Sequence, residues 1–194
     1  MNKYKFYERV KRIEKFAFDR YFTPNVEGLE NLPVKPYILA GNHISMLDAA
    51  LLIAEIPDQI NFMAKDELFQ NKFLNWLFTN MKAFPVKRDK TDLGAMRHAC
   101  QVLKDEEVLG IFPEGTRNKG NELLEFKKGT EFIAFRSKAL VVPFGISGEY
   151  GFKSGITLKI GESIPYLDLK DDPDILREKV KTSKIRTKNI FKHK

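Results

Sequence analysis

A histidine and an aspartate stand with four residues between them in the run Gly41-Asn42-His43-Ile44-Ser45-Met46-Leu47-Asp48. At that spacing on one continuous helix the two side chains diverge, so His43 and Asp48 meet only if His43 precedes the helix. Ser45 supplies the break. As an N-cap it puts Asp48 at N3, where a carboxylate points back toward the cap and the loop before it. Asp48 then accepts from one ring nitrogen of His43, fixing the tautomer and raising basicity, while the other nitrogen faces a substrate. The same residues also read as a plain capping box beside an ordinary loop histidine.

A second group of chemistry-bearing residues lies in Ile111-Phe112-Pro113-Glu114-Gly115-Thr116-Arg117-Asn118. Gly115 lets backbone approach a ligand, Thr116 offers a hydroxyl, and Arg117 offers a planar fork suited to phosphate oxygens. The run Phe84-Pro85-Val86-Lys87-Arg88-Asp89 delivers another arginine, and Lys127 and Lys128 precede Gly129 at an expected helix start, where backbone donors favour anions. One histidine base among several anion-binding groups implies a phosphorylated substrate.

These residues need a scaffold. The short apolar runs Tyr37 to Ala40, Ile60 to Ala64, Ala83 to Val86, Val108 to Phe112 and Leu140 to Ile146 predict buried strands. Helical patterns fall between them at Leu47 to Ile56, Asp66 to Asn80, Asp92 to Lys104 and Thr130 to Arg136. Strands alternating with helices predict an α/β fold, a single domain whose largely parallel sheet is flanked by helices. Ligands in such folds collect beyond the carboxyl ends of the strands, where both groups of residues lie.

The 194 residues suffice for one substantial core. Three units are expected: a basic amphipathic N-terminal helix over 1–22, a catalytic domain over 23–176 beginning with a Pro- and Gly-punctuated linker to Pro36, and a basic tail over 177–194. The formal charge is +7 and sits at the two ends. Basic ends suit anionic lipid or nucleic acid, or serve only as solubilising tails. In the first segment Phe6, Val10, Ile13, Ala17 and Tyr21 recur at helical spacing, with Lys5, Arg9, Lys11, Arg12 and Lys15 elsewhere on the wheel. Such a helix lies in a lipid interface or packs its apolar face on the core. Tyr4, Phe6, Tyr7, Phe16 and Phe18 are the expected lipid anchors.

The charged first residues contain no signal-peptide core and no long apolar span. Cys100 is the only cysteine, which excludes an intrachain disulfide and a thiolate zinc cage, and three histidines make a histidine-rich metal site unexpected. Neither a nucleophile elbow nor a P-loop occurs. The expected setting is the cytoplasmic face of the cell membrane, with peripheral or monotopic attachment, an anionic membrane surface as partner and no nucleic acid.

In order and spacing, these segments closely resemble the signature blocks of the 1-acyl-glycerol-3-phosphate acyltransferase family. The first block, NHxSxxD, appears as Asn42, His43, Ser45 and Asp48; the third, FPEGTRS, as Phe112 to Asn118; the fourth, a VPV-like strand, as Val142-Pro143-Phe144. The departures are Lys82 and Lys87 in the second block, where the family carries a glycine and an acidic residue, and Asn118 in place of serine. The resemblance implies a His43–Asp48 catalytic dyad and an acceptor-phosphate site made by Arg88, Glu114, Gly115, Thr116 and Arg117. It further implies direct acyl transfer from an acyl carrier protein or coenzyme A thioester to lysophosphatidic acid, giving phosphatidic acid, with no metal and no cofactor beyond that co-substrate. Leu68, Phe69, Phe73, Leu74, Trp76, Leu77 and Phe78 offer apolar material for an acyl groove or for a helix core. Three other readings stand beside this one: transfer to another lysophospholipid, hydrolysis with Ser45 as nucleophile, and a lipid-surface module without turnover.

Overall fold

A computed structural model describes residues 3–87, 91–118, 120, 122–172 and 174–184. The chain opens with helix α1 (Lys3–Tyr21) and strand β1 (Asn25–Glu27), then β2 (Tyr37–Gly41), α2 (Asp48–Glu55), β3 (Ile60–Lys65), α3 (Lys72–Asn80) and β4 (Ala83–Val86). It continues with α4 (Leu93–Lys104), β5 (Val108–Ile111), α5 (Gly129–Ser137), β6 (Leu140–Ser147), β7 (Thr157–Ile160), α6 (Tyr166–Asp171) and α7 (Ile175–Ser183).

The seven strands form one sheet in the order β1-β7-β6-β2-β5-β3-β4. Every neighbouring pair is parallel except β6 with β7. Strand β2 sits in the middle, paired with β5 on one side and β6 on the other, and all five of its residues are buried. Both faces of a parallel sheet are covered, so its central strands read as unbroken apolar runs. Successive β2 side chains still alternate: Tyr37 and Leu39 join the core beneath α1 and α2, Ile38 and Ala40 the core beneath α4 and α5.

The α/β architecture and its five expected strands are present. The segment 23–36, expected as linker, contains β1, which pairs with β7. Strand β7 escaped notice because Thr157-Leu158-Lys159-Ile160 alternates polar and apolar over only four residues. The helix expected from Asp66 to Asn80 breaks into a 3₁₀ turn at Asp66–Phe69 and α3, with Asn71 accepting from the N–H groups of Phe73 and Leu74 as a cap.

The two ends differ most from expectation. Residues 177–183, expected as tail, belong to α7, which buries Leu176, Val180 and Ser183. It packs so closely on β6 that a Cβ on Gly145 would come within 2.3 Å of the Ser183–Lys184 backbone. Residues 185–194 of the expected tail lie outside the described residues. Helix α1 buries Tyr7 and Phe18 in the core. The Lys11 ammonium donates to the carbonyls of Ile56 (2.6 Å) and Pro57 (2.7 Å), which sets a cation at the carboxyl end of α2.

Candidate active site

Strand β2 delivers the reactive segment. At its end Gly41 pairs with Phe144, and a Cβ there would lie 2.3 Å from the Phe144 carbonyl oxygen, so only glycine fits. Asn42 then extends the pairing with its side chain: Oδ1 accepts from Ile146 N (2.7 Å) and Nδ2 donates to Ile146 O (2.8 Å). A buried amide with both ends satisfied anchors the loop as the chain leaves the sheet.

His43 follows. Its Nδ1 lies 2.7 Å from Oδ2 of Asp48, its ring stacks on Phe112 with centroids 4.0 Å apart and planes 18° apart, and its side chain is 13% exposed. Asp48 is fully buried and can only accept, so Nδ1 carries the hydrogen and Nε2 keeps its lone pair. The same Oδ2 accepts from the N–H groups of Ile44 (2.7 Å) and Ser45 (2.8 Å), while Oδ1 accepts from the Tyr150 hydroxyl (2.7 Å). Four donors and a place in the first turn of α2 satisfy the buried carboxylate at both oxygens.

Ser45 plays a smaller part than its N-cap assignment. Regular helix begins at Asp48, after a turn over Ser45 to Leu47, and Ser45 Oγ accepts from Leu47 N at 3.2 Å within that turn. A hydrolytic triad would set Ser45 Oγ against His43 Nε2, the nitrogen that Asp48 leaves free; the contact this hydroxyl makes is instead with Leu47 N, inside its own turn.

The loop after β5 is zipped to this segment. Glu114 is buried and its carboxylate turns inward: Oε1 accepts from His43 N (3.1 Å), Oε2 from Asn118 Nδ2 (2.9 Å) and Leu124 N (3.0 Å). Asn118 N in turn donates to the His43 carbonyl at 2.7 Å. Glu114 therefore spends its charge on loop geometry, which suits its sign, since a free carboxylate would repel a phosphate. Gly115 adopts φ +68°, and a Cβ there would come within 2.7 Å of Lys127 Cε, so this glycine serves both the turn and the passage of Lys127. Thr116 and Arg117 are exposed at the loop's outer edge. Arg88 lies outside the described residues.

Past Phe112 and Gly115 opens a cavity of about 530 Å³. Met63, Val86, Met96 and Ile111 give it apolar walls, and Lys87, Lys127 and Lys128 also line it. Of these lysines the sequence places Lys127 and Lys128 near an anion; the apolar residues of 68–78 that it offers for an acyl groove or a helix core do not line this cavity, and α3 has no fully buried side chain. It also missed Tyr150, Phe112 as the histidine's stacking partner, and the inward turn of Glu114. Among the described residues no cluster of three His, Cys, Asp or Glu side chains is arranged as metal ligands.

Residues 23–147, from the start of the sheet through β6, match the acyltransferase family model. The chain belongs to the acyltransferase family. Its relatives include the 1-acyl-sn-glycerol-3-phosphate acyltransferase of Bacillus subtilis, 36% identical in an alignment of 151 residues, gaps included, that covers 74% of this chain and 75% of that protein. A chloroplast 1-acyl-sn-glycerol-3-phosphate acyltransferase of Arabidopsis thaliana is 32% identical over 132 residues, 66% of this chain but 37% of the relative's length. The crystal structure of the 1-acyl-sn-glycerophosphate acyltransferase PlsC from Thermotoga maritima superposes with a TM-score of 0.75 at 26% identity, covering 94% of this chain and 78% of that one. The acyltransferase match includes every strand that delivers a site residue, and it stops before Tyr150.

Proposed function

We propose that this acyltransferase moves a fatty acyl group from a thioester to the sn-2 hydroxyl of 1-acyl-sn-glycerol-3-phosphate, giving phosphatidic acid. The observation that carries the reading is the 2.7 Å contact of His43 Nδ1 with the buried Asp48 carboxylate, which leaves Nε2 free as a base. Nε2 takes the proton of the acceptor hydroxyl as that oxygen attacks the thioester carbonyl, Asp48 stabilises the imidazolium, and the proton passes to the departing thiol. No acyl-enzyme forms. Arg117, with Gly115 and Thr116 in its loop, and Arg88 hold the acceptor phosphate and so orient the hydroxyl. The names of the bacterial, plant and yeast relatives support this acceptor.

The acceptor is a lipid, so the enzyme works at a bilayer. Among the described residues no helix is long and apolar enough to cross one. Peripheral seating is supported by an exposed apolar band. Ile13, Phe16 and Tyr21 of α1 are 68%, 72% and 55% exposed, beside Phe73 and Trp76 of α3 and Phe152 of the β6–β7 segment. Ring contacts link this band, Phe6 with Trp76 at 5.1 Å and Tyr21 with Phe152 at 6.4 Å. Lys5, Arg9, Arg12 and Arg20 are exposed on the same helix and suit an anionic, cytoplasmic leaflet. Tyr7 and Phe18, expected as anchors, are core residues instead.

The deciding experiment is a matrix of acceptors against donors with purified protein, reading labelled product. Lysophosphatidate should outrun neutral and zwitterionic lysolipids with an acyl carrier protein or coenzyme A thioester. Transfer to a neutral lysolipid at equal rate would remove the phosphate from the reading.

A further inference from the structure

The two oxygens of Asp48 are served from different parts of the chain. Oδ2 is held by His43 and by the backbone of Ile44 and Ser45, all in the loop that Asp48 ends. The Oδ1 partner, the Tyr150 hydroxyl at 2.7 Å, comes from 102 positions away. Tyr150 lies between β6 and β7, and its ring meets Phe18 of α1 at 6.4 Å and 78° and Phe22 at 5.7 Å and 86°. The same segment is tied to α1 by Lys153 N donating to the Tyr21 carbonyl at 2.6 Å. Edge-on aromatic packing on two sides thus holds the hydroxyl against the carboxylate.

We infer that Tyr150 is a positioning residue for acyl transfer: its hydroxyl fixes the plane of the Asp48 carboxylate and sets how strongly Asp48 supports His43. The inference rests on His43 being the general base. A carboxylate that shares its charge with a phenol offers less of it to an imidazolium, and one held at both oxygens does not rotate. Burial and the adjacent Asp48 charge push the Tyr150 hydroxyl well above the usual phenol range, so it stays a donor throughout the working pH range. Removing that hydroxyl leaves Oδ1 buried without its donor. The charge then concentrates on the histidine contact, and protonation of the base becomes easier.

The test is Tyr150→Phe, which keeps the ring between Phe18 and Phe22, assayed with a soluble short-chain lysophosphatidate and acyl coenzyme A across pH. Without its Oδ1 donor the carboxylate is free to turn away from His43, and a misplaced base outweighs a more basic one; the lost bond to a charged group is worth about tenfold or more, so kcat on the plateau should fall by about that factor. KM for both substrates should stay within about twofold, and the acid limb of the kcat profile should move to higher pH. Wild-type kcat with an unmoved acid limb would overturn the inference. In an Asp48→Asn background the same change should cost little more, because its route is gone; a full additional loss would also overturn it. Should the Phe variant unfold, Phe22→Leu loosens the ring without removing the hydroxyl and should move the limb the same way, and an unmoved limb there would count against the idea. An active His43→Ala enzyme would sink the base assignment itself, whereas an inactive one beside an unaffected Tyr150→Phe enzyme sinks this inference alone.

Discussion

The main-chain N–H of His43 donates to Oε1 of Glu114 at 3.1 Å, joining the ends of β2 and β5 across a sequence separation of 71. Glu114→Ala removes the acceptor for His43, Asn118 and Leu124 together. The expected result is a fall in kcat of at least about tenfold, from a charge-assisted bond of roughly 1.5–3 kcal/mol, with KM for the acceptor little changed. Steady-state kinetics in both substrates check it; a pure rise in acceptor KM would return Glu114 to the phosphate site.

His43→Ala should lower the rate by roughly 10²- to 10⁴-fold, the usual worth of a positioned base. Its melting temperature should stay near wild type, because the side chain sits over Phe112 beyond the carboxyl end of β2 and belongs to neither buried core cluster. Single-turnover assays beside thermal unfolding separate the two quantities. Near-normal turnover would end the dyad mechanism.

Arg117→Ala should raise the apparent KM for lysophosphatidate by about tenfold or more through loss of a charge-assisted phosphate contact, leaving the thioester KM nearly constant. Arg117 is exposed, so stability should not move. Equal effects on both substrates would assign the arginine elsewhere.

Vesicle flotation separates the two jobs of α1. Ile13→Ser with Phe16→Ser, both on exposed positions, should weaken binding to anionic vesicles without lowering the melting temperature. Deleting residues 1–22 should instead unfold the protein, because Tyr7 and Phe18 are core and Tyr7 Oη accepts from Ile60 N at 3.0 Å. A folded truncated protein would contradict that. Binding of the intact protein should also weaken with salt, since attraction of surface lysines and arginines fades within a Debye length of about 8 Å.

Burial raises the Glu14 carboxyl from its ordinary value to about 7, and its Oε2 is buried with no hydrogen-bond partner. The folded chain therefore holds this proton more tightly than the unfolded chain. The contribution is fully present below the ordinary carboxyl range and is lost as pH rises through about 7. Melting temperature followed from pH 5 to pH 8 should show a decline that Glu14→Gln flattens, with the variant the more stable at the upper end. An unchanged slope in the variant would place the pH dependence on another group.

Much of the site was legible before the fold was known, because its chemistry depends on short-range spacing. Asn42, His43 and Asp48 fall within seven consecutive residues, and a loop that precedes a helix brings such residues together by local geometry alone. The α/β class was legible for a similar reason: buried parallel strands are unbroken apolar runs, and helices between them carry their own period. What remained hidden depends on contacts between distant segments. Neither the 102-residue separation of Tyr150 from Asp48 nor the inward turn of Glu114 has a periodic signal. The burial of Tyr7 and Phe18 was equally undetermined, since an apolar helix face suits lipid and protein core alike and only packing against α2 selects one. Spacing along the chain thus determined which residues could react, and tertiary packing alone decided which groups hold them, because a hydrogen bond records distance in space and not position in sequence.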